Sequence, residues 1–354
     1  METRIIKIES SAIDPGKISE AAEAIKRGGL VAFPTETVYG LGADALNEQA
    51  VADIFTAKGR PPDNPLIVHI SVLDEIYRVA AEVPAIVKEL SSRFWPGPLT
   101  LVVKKSALVP HIVTAGLDTV AVRMPSHPIA LALIKACGRP IAAPSANLSG
   151  KPSPTDAEHV VQDLYGKVDI IIDAGSASVG LESTVFDITV SPPVILRPGG
   201  ITGEQLQAFL GSQVKLQVEE YTADKGIPRS PGMKYKHYSP AADMLVVEGD
   251  PGSMSLKIAR LAADHVSRGH KTAIIATDEN VWRYRTPGGP ACDIFGMGRQ
   301  SAPETIAKGF YGLLRNLDSL GYEVIIAEAV NKDGIGAAIM NRMYRAAGNH
   351  IIKV

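Results

Sequence analysis

The stretch that decides the fold prediction is residues 58–69, KGRPPDNPLIVH, where a basic, proline-rich loop leads into an apolar strand. Lys58 and Arg60 stand two positions apart, and three prolines follow within five positions. Proline fixes φ and removes a backbone donor, and the residue before it is driven towards extended geometry. We therefore predict a stiff loop that presents two cations, followed by a strand over residues 66–70. Both cations can bind a nucleotide phosphate tail, although basic proline-rich loops are also common on protein surfaces.

A second run, FPTETVYGLGAD at residues 33–44, follows an apolar strand predicted over residues 30–33. Two hydroxyls alternate with an acid before two glycines, which would let the backbone approach a ligand closely. Thr35 and Thr37 have two interpretations. They satisfy local backbone groups at a strand end, or they form a donor–acceptor patch for a polar amino acid.

Length and composition favour an intracellular two-domain globular protein. The chain has 354 residues, which is long for one core. Its net charge of −2 creates no overall field that would attract nucleic acid or a membrane. The two cysteines, Cys137 and Cys292, are far apart, so we expect no disulfide scaffold or zinc ribbon and a reducing, cytoplasmic location. No signal core and no run of about 18 apolar residues is present, so no membrane span is expected.

Three common motifs are missing or incomplete. No P-loop signature and no Cys/His metal spacing occurs. Residues 334–339, GIGAAI, begin like a dinucleotide fingerprint but lack the third small residue. We interpret them as the start of a helix.

The order of predicted elements indicates an α/β protein with two domains. Up to residue 211 helices and strands mix without strict alternation, which predicts a twisted mixed sheet with helices. Residues 212–240 lack such a pattern and read as a linker. After it, strands near 244–247, 272–276 and 324–329 alternate with helices near 253–268, 303–320 and 335–347, which predicts a small Rossmann-like domain over residues 241–354.

Several single residues have a functional and an ordinary interpretation. His69 is either a hydrogen-bonded core histidine or a ligand contact. Arg123 lies in a predicted buried strand and needs a partner, which could be a protein carboxylate or a substrate carboxylate. The segment 144–153, PSANLSGKPS, is dense in polar groups and is either a turn or a binding loop.

Together the two runs at residues 33–44 and 58–69 are similar to the signature of the YrdC-like family. The resemblance covers residues 1 to about 210 with several motifs and, more weakly, a C-terminal domain found in the long form. It implies synthesis of L-threonylcarbamoyladenylate from L-threonine, bicarbonate and ATP, with Mg²⁺ accompanying ATP and pyrophosphate released. The product serves the modification of the adenosine next to the tRNA anticodon, through a downstream tRNA threonylcarbamoyl transferase complex. Direct tRNA binding stays open.

The resemblance also implies two sets of site residues and no covalent nucleophile. The set for L-threonine is Thr35, His69, Arg123, Ala143 and Ser183. The set for ATP is Lys58, Arg60, Asn64, Thr119, Ser145, Asn147, Ser153, Arg197 and Tyr235. The linker, with its basic aromatic run KYKHY at residues 234–238, is predicted to close over the nucleotide as a flap.

Two other functions remain open. Basic aromatic clusters also bind nucleic acid, so an RNA-binding module is one alternative, although the near-neutral charge argues against it. The other is a carbamoyl-transfer enzyme of the YrdC-like type. It is disfavoured because the chain lacks the zinc-finger cysteines and the acylphosphatase-like segment of that group.

Overall fold

The structure is a computed structural model that describes residues 2–211, 217–218, 238–285 and 291–354. The chain divides into two compact units, Met1–Ser149 with Ser153–Tyr235, and Gly150–Pro152 with Lys236–Val354. Most of the predicted linker, including Tyr235, lies outside the described residues. The flap prediction therefore stays a prediction.

The first unit is built on one large mixed sheet. Its described strands are β1 (Arg4–Lys7), β2 (Val31–Phe33), β3 (Gly40–Asp44), β4 (Ile67–His69), β5 (Leu99–Lys104), β6 (Thr119–Arg123), β7 (Ile141–Ala142), β8 (Ile170–Asp173), β9 (Thr184–Asp187), β10 (Val194–Arg197) and β11 (Gln217–Val218). Their order is β1-β8-β2-β3-β7-β4-β6-β5-β9-β10-β11. The predicted α/β fold with a mixed sheet is confirmed.

The helices of this unit begin and end at recognisable signals. They are α1 (Pro15–Lys26), α2 (Glu48–Lys58), α3 (Ile76–Val79), α4 (Ala85–Phe94), α5 (His111–Thr114), α6 (Pro128–Cys137), α7 (Ala157–Leu164) and α8 (Gly203–Leu210). Asn47 caps α2 by accepting from two backbone N–H groups, and Gly59 ends it with φ 59° in the left-handed region. Lys58 is therefore the last residue of a helix. The prediction that it belongs to the proline-rich loop was wrong.

The glycines of the second run have a packing role in the structure. A Cβ atom at Gly42 would lie 2.8 Å from the Phe33 ring and 2.8 Å from Ile141. Gly40 likewise faces the Phe33 ring at 3.3 Å. Strand β3 thus uses these glycines to accommodate a neighbouring aromatic ring, and their role in letting a ligand approach the backbone stays a prediction.

Clusters of buried apolar residues pack against the sheet of the first unit. A large cluster packs around α2, α4 and α7, and a second packs around α1 and α6. A third cluster is small and lies on β4, β5, β6, β9 and β10. Its members are Ile67, Val102, Ala121, Val185, Val194 and Leu196.

The second unit is a Rossmann-like α/β domain, as predicted. Its strands are β12 (Asp243–Glu248), β13 (Thr272–Ala276), β14 (Asp293–Gly296), β15 (Val324–Glu328) and β16 (Ile351–Lys353), and its helices are α9 (Pro251–Ser267), α10 (Val281–Tyr284), α11 (Pro303–Ser319) and α12 (Gly336–Ala346). The sheet is parallel throughout, in the order β14-β13-β15-β12-β16. Residues 334–339 lead into α12, as expected for a helix start. Across the described ranges, no helix is both long and apolar enough to cross a membrane.

Candidate active site

The candidate site lies on the face of the first sheet that carries the small apolar cluster. His69 on β4 is paired with Arg123 on β6, and Arg123 is paired with Thr100 on β5. Paired residues share a face of a sheet, and side chains alternate between faces along a strand. These three side chains therefore lie on the same face as Ala121, a member of the small cluster.

Arg123 is buried, and in this structure its charge is balanced by a protein carboxylate. Its Nη2 atom lies 2.5 Å from Oε1 of Glu36, its Nη1 donates to Oγ1 of Thr37 at 2.9 Å, and its Nε donates to the Gly97 carbonyl at 3.3 Å. The second oxygen of Glu36 accepts from the backbone N–H of Ser126 at 3.0 Å. These bonds occupy three of the five N–H groups of the guanidinium, so a carboxylate ligand could use the others.

The two threonines of the second run satisfy each other and the local backbone. Oγ1 of Thr35 lies 2.8 Å from Oγ1 of Thr37 and donates to the Val38 carbonyl at 2.7 Å. The backbone N–H groups of Thr37 and Val38 donate to Thr35 Oγ1. These bonds match the interpretation in which the two threonines satisfy local backbone groups. Because Thr37 also accepts a hydrogen bond from Arg123, they connect Thr35 to the hydrogen bonds of Arg123.

His69 is a neutral, buried histidine. Burial and the nearby charge of Arg123 lower its pKa from 6.5 to about 3. The Nδ1 atom is buried and has no hydrogen-bond partner within the described parts of the chain. The Phe33 ring packs edge-on against the imidazole, with the ring centroids 6.1 Å apart. A neutral imidazole in this position can exchange a hydrogen bond with a ligand without adding charge.

This low pKa predicts a specific dependence of stability on pH. The folded state resists protonation of His69 down to about pH 3, whereas the unfolded chain binds the proton near pH 6.5. Between these values the unfolded state holds one more proton, so stability falls as the pH falls, by about 1.4 kcal/mol per pH unit. We expect a His69→Gln variant to lose this part of the slope. Denaturant unfolding of both proteins from pH 7 to pH 4 measures it, and equal slopes would contradict the prediction.

Ser183 and Arg197 meet beside Thr100. The hydroxyl groups of Ser183 and Thr100 lie 2.7 Å apart. Arg197 donates to the Ser183 carbonyl from Nε at 3.2 Å and from Nη2 at 3.1 Å, and Nη2 also donates to Ser183 Oγ at 3.3 Å. A Cβ atom at Gly199 would lie 2.4 Å from the backbone of Ser183, so only glycine allows the two chain segments to pass this closely.

Lys58 organises the polar segment that begins at residue 144. Its buried Nζ donates to the carbonyl of Ser145 at 2.5 Å and to the carbonyl of Asn147. The Ser145 hydroxyl donates to the amide oxygen of Asn147 at 2.5 Å, and the N–H of Ser149 donates to the Lys58 carbonyl at 2.9 Å. The C-terminal turn of α2 and this segment thus form one hydrogen-bonded unit.

The remaining predicted residues occupy the surroundings of these groups. Arg60 donates to the carbonyls of Asn64 and Pro65 at 3.2 and 3.3 Å. The side-chain amide of Asn64 is fully buried, and neither of its polar atoms has a partner in the described part of the chain. A buried amide without partners is costly, so this group is well suited to receive a ligand.

Three further predicted residues lie at separate points. The N–H of Ala143 donates to the Ile67 carbonyl at 2.9 Å, which fixes the backbone next to β4. The hydroxyl of Ser153 donates to Oε1 of Glu182 at 2.6 Å. Thr119 begins β6, four residues before Arg123, so the two are about 13 Å apart on one face at about 3.3 Å per residue. Tyr235 falls outside the described residues.

Sequence reasoning missed two residues that hold the site together. Glu36 lies inside the quoted run, but nothing local identifies it as the partner of a residue 87 positions away. Thr100 is a buried hydroxyl in a strand whose other buried residues are apolar, and its neighbour Ser183 is 83 positions away. The available signal was the isolated polar residue in an apolar stretch, because most buried polar groups are hydrogen-bonded.

Fold and site together define an α/β protein of two units, with a polar, arginine-bearing site on an apolar sheet face that suits an anionic ligand. A protein-family model described as telomere recombination, for Sua5, YciO and YrdC, matches residues 23–199. A second, described as the C-terminal domain of threonylcarbamoyl-AMP synthase, matches residues 201–348. The chain therefore belongs to the Sua5/YciO/YrdC family, which confirms the resemblance inferred from the two runs.

Similar full-length proteins support this membership. The chain is 49% identical over 342 residues to a threonylcarbamoyl-AMP synthase of Pyrococcus abyssi, covering 97% of each chain. It is 47% identical over 348 residues to a threonylcarbamoyl-AMP synthase of Bacillus subtilis, covering 98% of this chain and 96% of the relative. A crystal structure of Pyrococcus abyssi Sua5 complexed with L-threonine matches with a TM-score of 0.91 at 48% identity, covering 99% of this chain and 100% of the other.

Proposed function

We propose that this chain makes L-threonylcarbamoyladenylate from L-threonine, bicarbonate and ATP and releases pyrophosphate. The observation that carries the proposal is the contact between Ser183 and Arg197. A hydroxyl group that can bind an amino acid accepts a hydrogen bond there from a guanidinium group that can bind a phosphate. Relatives that are 41–49% identical over at least 90% of this chain bear the name threonylcarbamoyl-AMP synthase, which supports the same reaction.

The threonine end of the site is proposed to centre on Arg123. Its remaining N–H groups would hold the substrate carboxylate, while Glu36 keeps the guanidinium in place. Thr35, Ser183 and the backbone at Ala143 would contact the polar groups of the amino acid. His69 is neutral, so it can accept a hydrogen bond from the amine and orient it without adding charge.

The part of the site that is proposed to bind the nucleotide begins beside Ser183 and contains the basic side chains. Arg197, Lys58 and Arg60 would balance the phosphate charge, and the partnerless amide of Asn64 would hydrogen-bond the nucleotide. The other side chains proposed to contact ATP are Thr119, Ser145, Asn147, Ser153 and Tyr235.

The chemistry then needs positioning and charge balance and no covalent nucleophile. The uncharged threonine amine attacks carbon dioxide and a proton is released, or it attacks bicarbonate and water is released, and either route forms a carbamate. A carbamate oxygen then attacks the α-phosphorus of ATP, and pyrophosphate leaves with the electron pair of the broken P–O bond. Two anions must approach each other in this step, and fixed cations beside the reacting atoms lower its barrier.

Mg²⁺ is proposed to accompany the triphosphate of ATP. The described residues contain no group of three or more side chains of His, Cys, Asp or Glu placed to hold a metal ion. This fits an ion that is held mainly by phosphate oxygens and water, as Mg²⁺ commonly is. When bound, the ion would neutralise charge on the phosphates.

The proposal extends to the organisation of the chain and the use of the product. We propose residues 1–211 as the catalytic domain, residues 212–240 as a linker that closes over the nucleotide, and residues 241–354 as the C-terminal domain. A mixed anhydride is labile, so the product would pass to a downstream tRNA threonylcarbamoyl transferase complex for tRNA modification. The cytoplasmic location remains a prediction.

Threonine-dependent release of pyrophosphate tests this function. We expect release only when ATP, bicarbonate and L-threonine are all present, because the carbamate needs both an amine and a carbon source. Serine and alanine should each give much less product, since each lacks part of the threonine side chain. Equal release with alanine, or without any amino acid, would contradict the proposal.

A further inference from the structure

Two histidines that the proposed reaction does not use meet at the C-terminal end of α9 in the second unit. His265 lies in the last turn of the helix, and His270 follows the helix before β13 begins. Both side chains are half-buried. Their Nδ1 atoms lie 3.2 Å apart, and the centroids of their rings lie 5.5 Å apart. The pair therefore brings together two nitrogen atoms of the side chain that binds metals most often in proteins.

The backbone turn that ends α9 holds these two rings together. The N–H of His270 donates to the His265 carbonyl at 3.1 Å, and the N–H of Gly269 donates to the Val266 carbonyl at 2.9 Å. Gly269 has a φ of 86°, in the left-handed region. These are the features of a Schellman motif, in which the side chains at the positions of His265 and His270 commonly make an apolar contact. In this chain histidine occupies both positions, so the motif itself places one ring beside the other.

Each histidine is also anchored on the side away from the other. His265 follows the buried Ala262 by three residues, which places both on one face of the helix. The hydroxyl of Thr272, the first residue of β13, donates to the His270 carbonyl at 3.0 Å. The helix thus fixes one ring and the start of the strand fixes the backbone of the other. Little conformational freedom would be lost when both rings bind one ligand, which favours binding.

The distance between the two Nδ1 atoms matches two ligands of one tetrahedral metal ion. A bond from Zn²⁺ to a histidine nitrogen is about 2.0 Å long, so two such nitrogens at tetrahedral angles lie about 3.3 Å apart. Without a metal, the same distance suits a hydrogen bond in which one ring keeps a proton on Nδ1 and the other accepts it. Metal binding moves this proton to Nε2 of the same ring, and both Nδ1 lone pairs then become ligands.

The surroundings of the pair favour a cation that also binds water. The C-terminal end of a helix attracts positive charge. The nearest carboxylates along the chain and across the sheet are engaged elsewhere, since Asp264 pairs with Arg268 at 2.8 Å and Glu323 accepts the N–H of Lys271 at 2.8 Å. Within the described residues, no third side chain of His, Cys, Asp or Glu completes a metal-binding group. Two imidazoles with water in the other positions form an open, exchangeable site.

We propose that the C-terminal turn of α9 binds a divalent transition-metal ion, Zn²⁺, through Nδ1 of His265 and Nδ1 of His270, with water as the remaining ligands. Imidazole nitrogen suits Zn²⁺, whereas Mg²⁺ prefers oxygen ligands, so this site differs from the ion proposed to accompany ATP. The bound ion joins the end of α9 to the segment that enters β13. The two cysteines of a zinc-finger signature are missing, which is why the spacing of the histidines alone does not reveal the site.

Isothermal titration of the full chain with zinc chloride tests the proposal. We expect the wild-type protein to bind Zn²⁺ and the variants His265→Ala and His270→Ala each to bind it far more weakly. Loss of a group that only orients a ligand typically lowers metal affinity about 10- to 100-fold, so loss of a ligand should lower it at least as much. His350→Ala is the matched control, because His350 is an exposed histidine that follows the C-terminal end of α12. This variant should keep the wild-type affinity.

Hydrogen exchange followed by mass spectrometry locates the bound ion. Zinc chloride should slow exchange in peptides that cover residues 262–272 of the wild-type protein, and magnesium chloride should not. If His265→Ala disturbs the helix, His270→Asn replaces it, because His270 lies outside α9 and its removal leaves the helix sequence unchanged. Absence of binding at millimolar zinc, unchanged affinity in the histidine variants, protection only outside residues 262–272, or equal protection by magnesium would each overturn the proposal.

Discussion

Replacement of Arg123 by alanine should abolish threonine-dependent pyrophosphate release and destabilise the first unit by about 3–5 kcal/mol. Both effects have one origin. Arg123 and Glu36 form an ion pair at 2.5 Å with side chains only 4% and 7% exposed. Removal of the guanidinium leaves the Glu36 carboxylate buried without its counter-charge, which costs far more than the loss of one contact. The same substitution removes the group proposed to hold the threonine carboxylate.

A second substitution separates structure from function. In the double variant Arg123→Ala/Glu36→Gln no charge is left unpaired, so most of the lost stability should return. Threonine-dependent activity should not return, because the carboxylate clamp is still missing. Denaturant unfolding and pyrophosphate release measure the two properties independently. Recovery of activity together with stability would show that Arg123 has only a structural role.

Lys104→Ala is the matched control for this prediction. Lys104 lies on the neighbouring strand β5 and pairs with Asp118 at 2.8 Å, but both side chains are largely exposed. Exposed ion pairs contribute little to stability because water screens the charges. Lys104→Ala should therefore leave both activity and unfolding nearly unchanged.

Replacement of Lys58 by alanine should weaken ATP binding by about tenfold to a hundredfold. Loss of a charged hydrogen bond costs about 1.5–3 kcal/mol, and each 1.4 kcal/mol corresponds to a factor of ten. Lys58 is 2% exposed, and its ammonium group holds the carbonyls of Ser145 and Asn147. The variant thus loses a cation and also releases the segment that carries two of the proposed ATP contacts. Isothermal titration with ATP measures the affinity directly.

Lys105→Ala is the control for this second prediction. Lys105 also donates to a backbone carbonyl, that of Val109 at 3.1 Å, but it has no place in the proposed site. Its replacement should leave the affinity for ATP unchanged. Arg197→Ala should resemble Lys58→Ala, because Arg197 is proposed to contact the same phosphates. Unchanged affinity in both Lys58→Ala and Arg197→Ala would place the nucleotide elsewhere.

Local signals predicted several elements closely. The strand predicted near residues 272–276 has those bounds in the structure, and the helix predicted near 303–320 runs over Pro303–Ser319. Proline at the first helical position, a following glycine and runs of β-branched residues are short-range features that a single segment contains. The alternation of strands and helices after residue 243 was likewise enough to predict the parallel domain.

Segments with weaker local signals were not predicted. Strand β3 contains two glycines, which normally disfavour a strand, and it forms because the Phe33 ring occupies the space above them. Strand β1 has only four residues, three of which are exposed, and it pairs with β8, more than 160 residues away. Lys58 was assigned to a loop, although the left-handed Gly59 ends the helix only after it.

By itself, the sequence determined the α/β class, the family, and which residue types stand near the site, because these depend on local pattern and on motifs. Only the tertiary structure decided how those residues are joined. Register places His69 beside Arg123, the ion pair joins Arg123 to Glu36 across 87 residues, and the ammonium of Lys58 binds carbonyls almost 90 residues away. Such pairings depend on strand order and on the cost of burying a polar group without a partner, and neither can be deduced from any one segment.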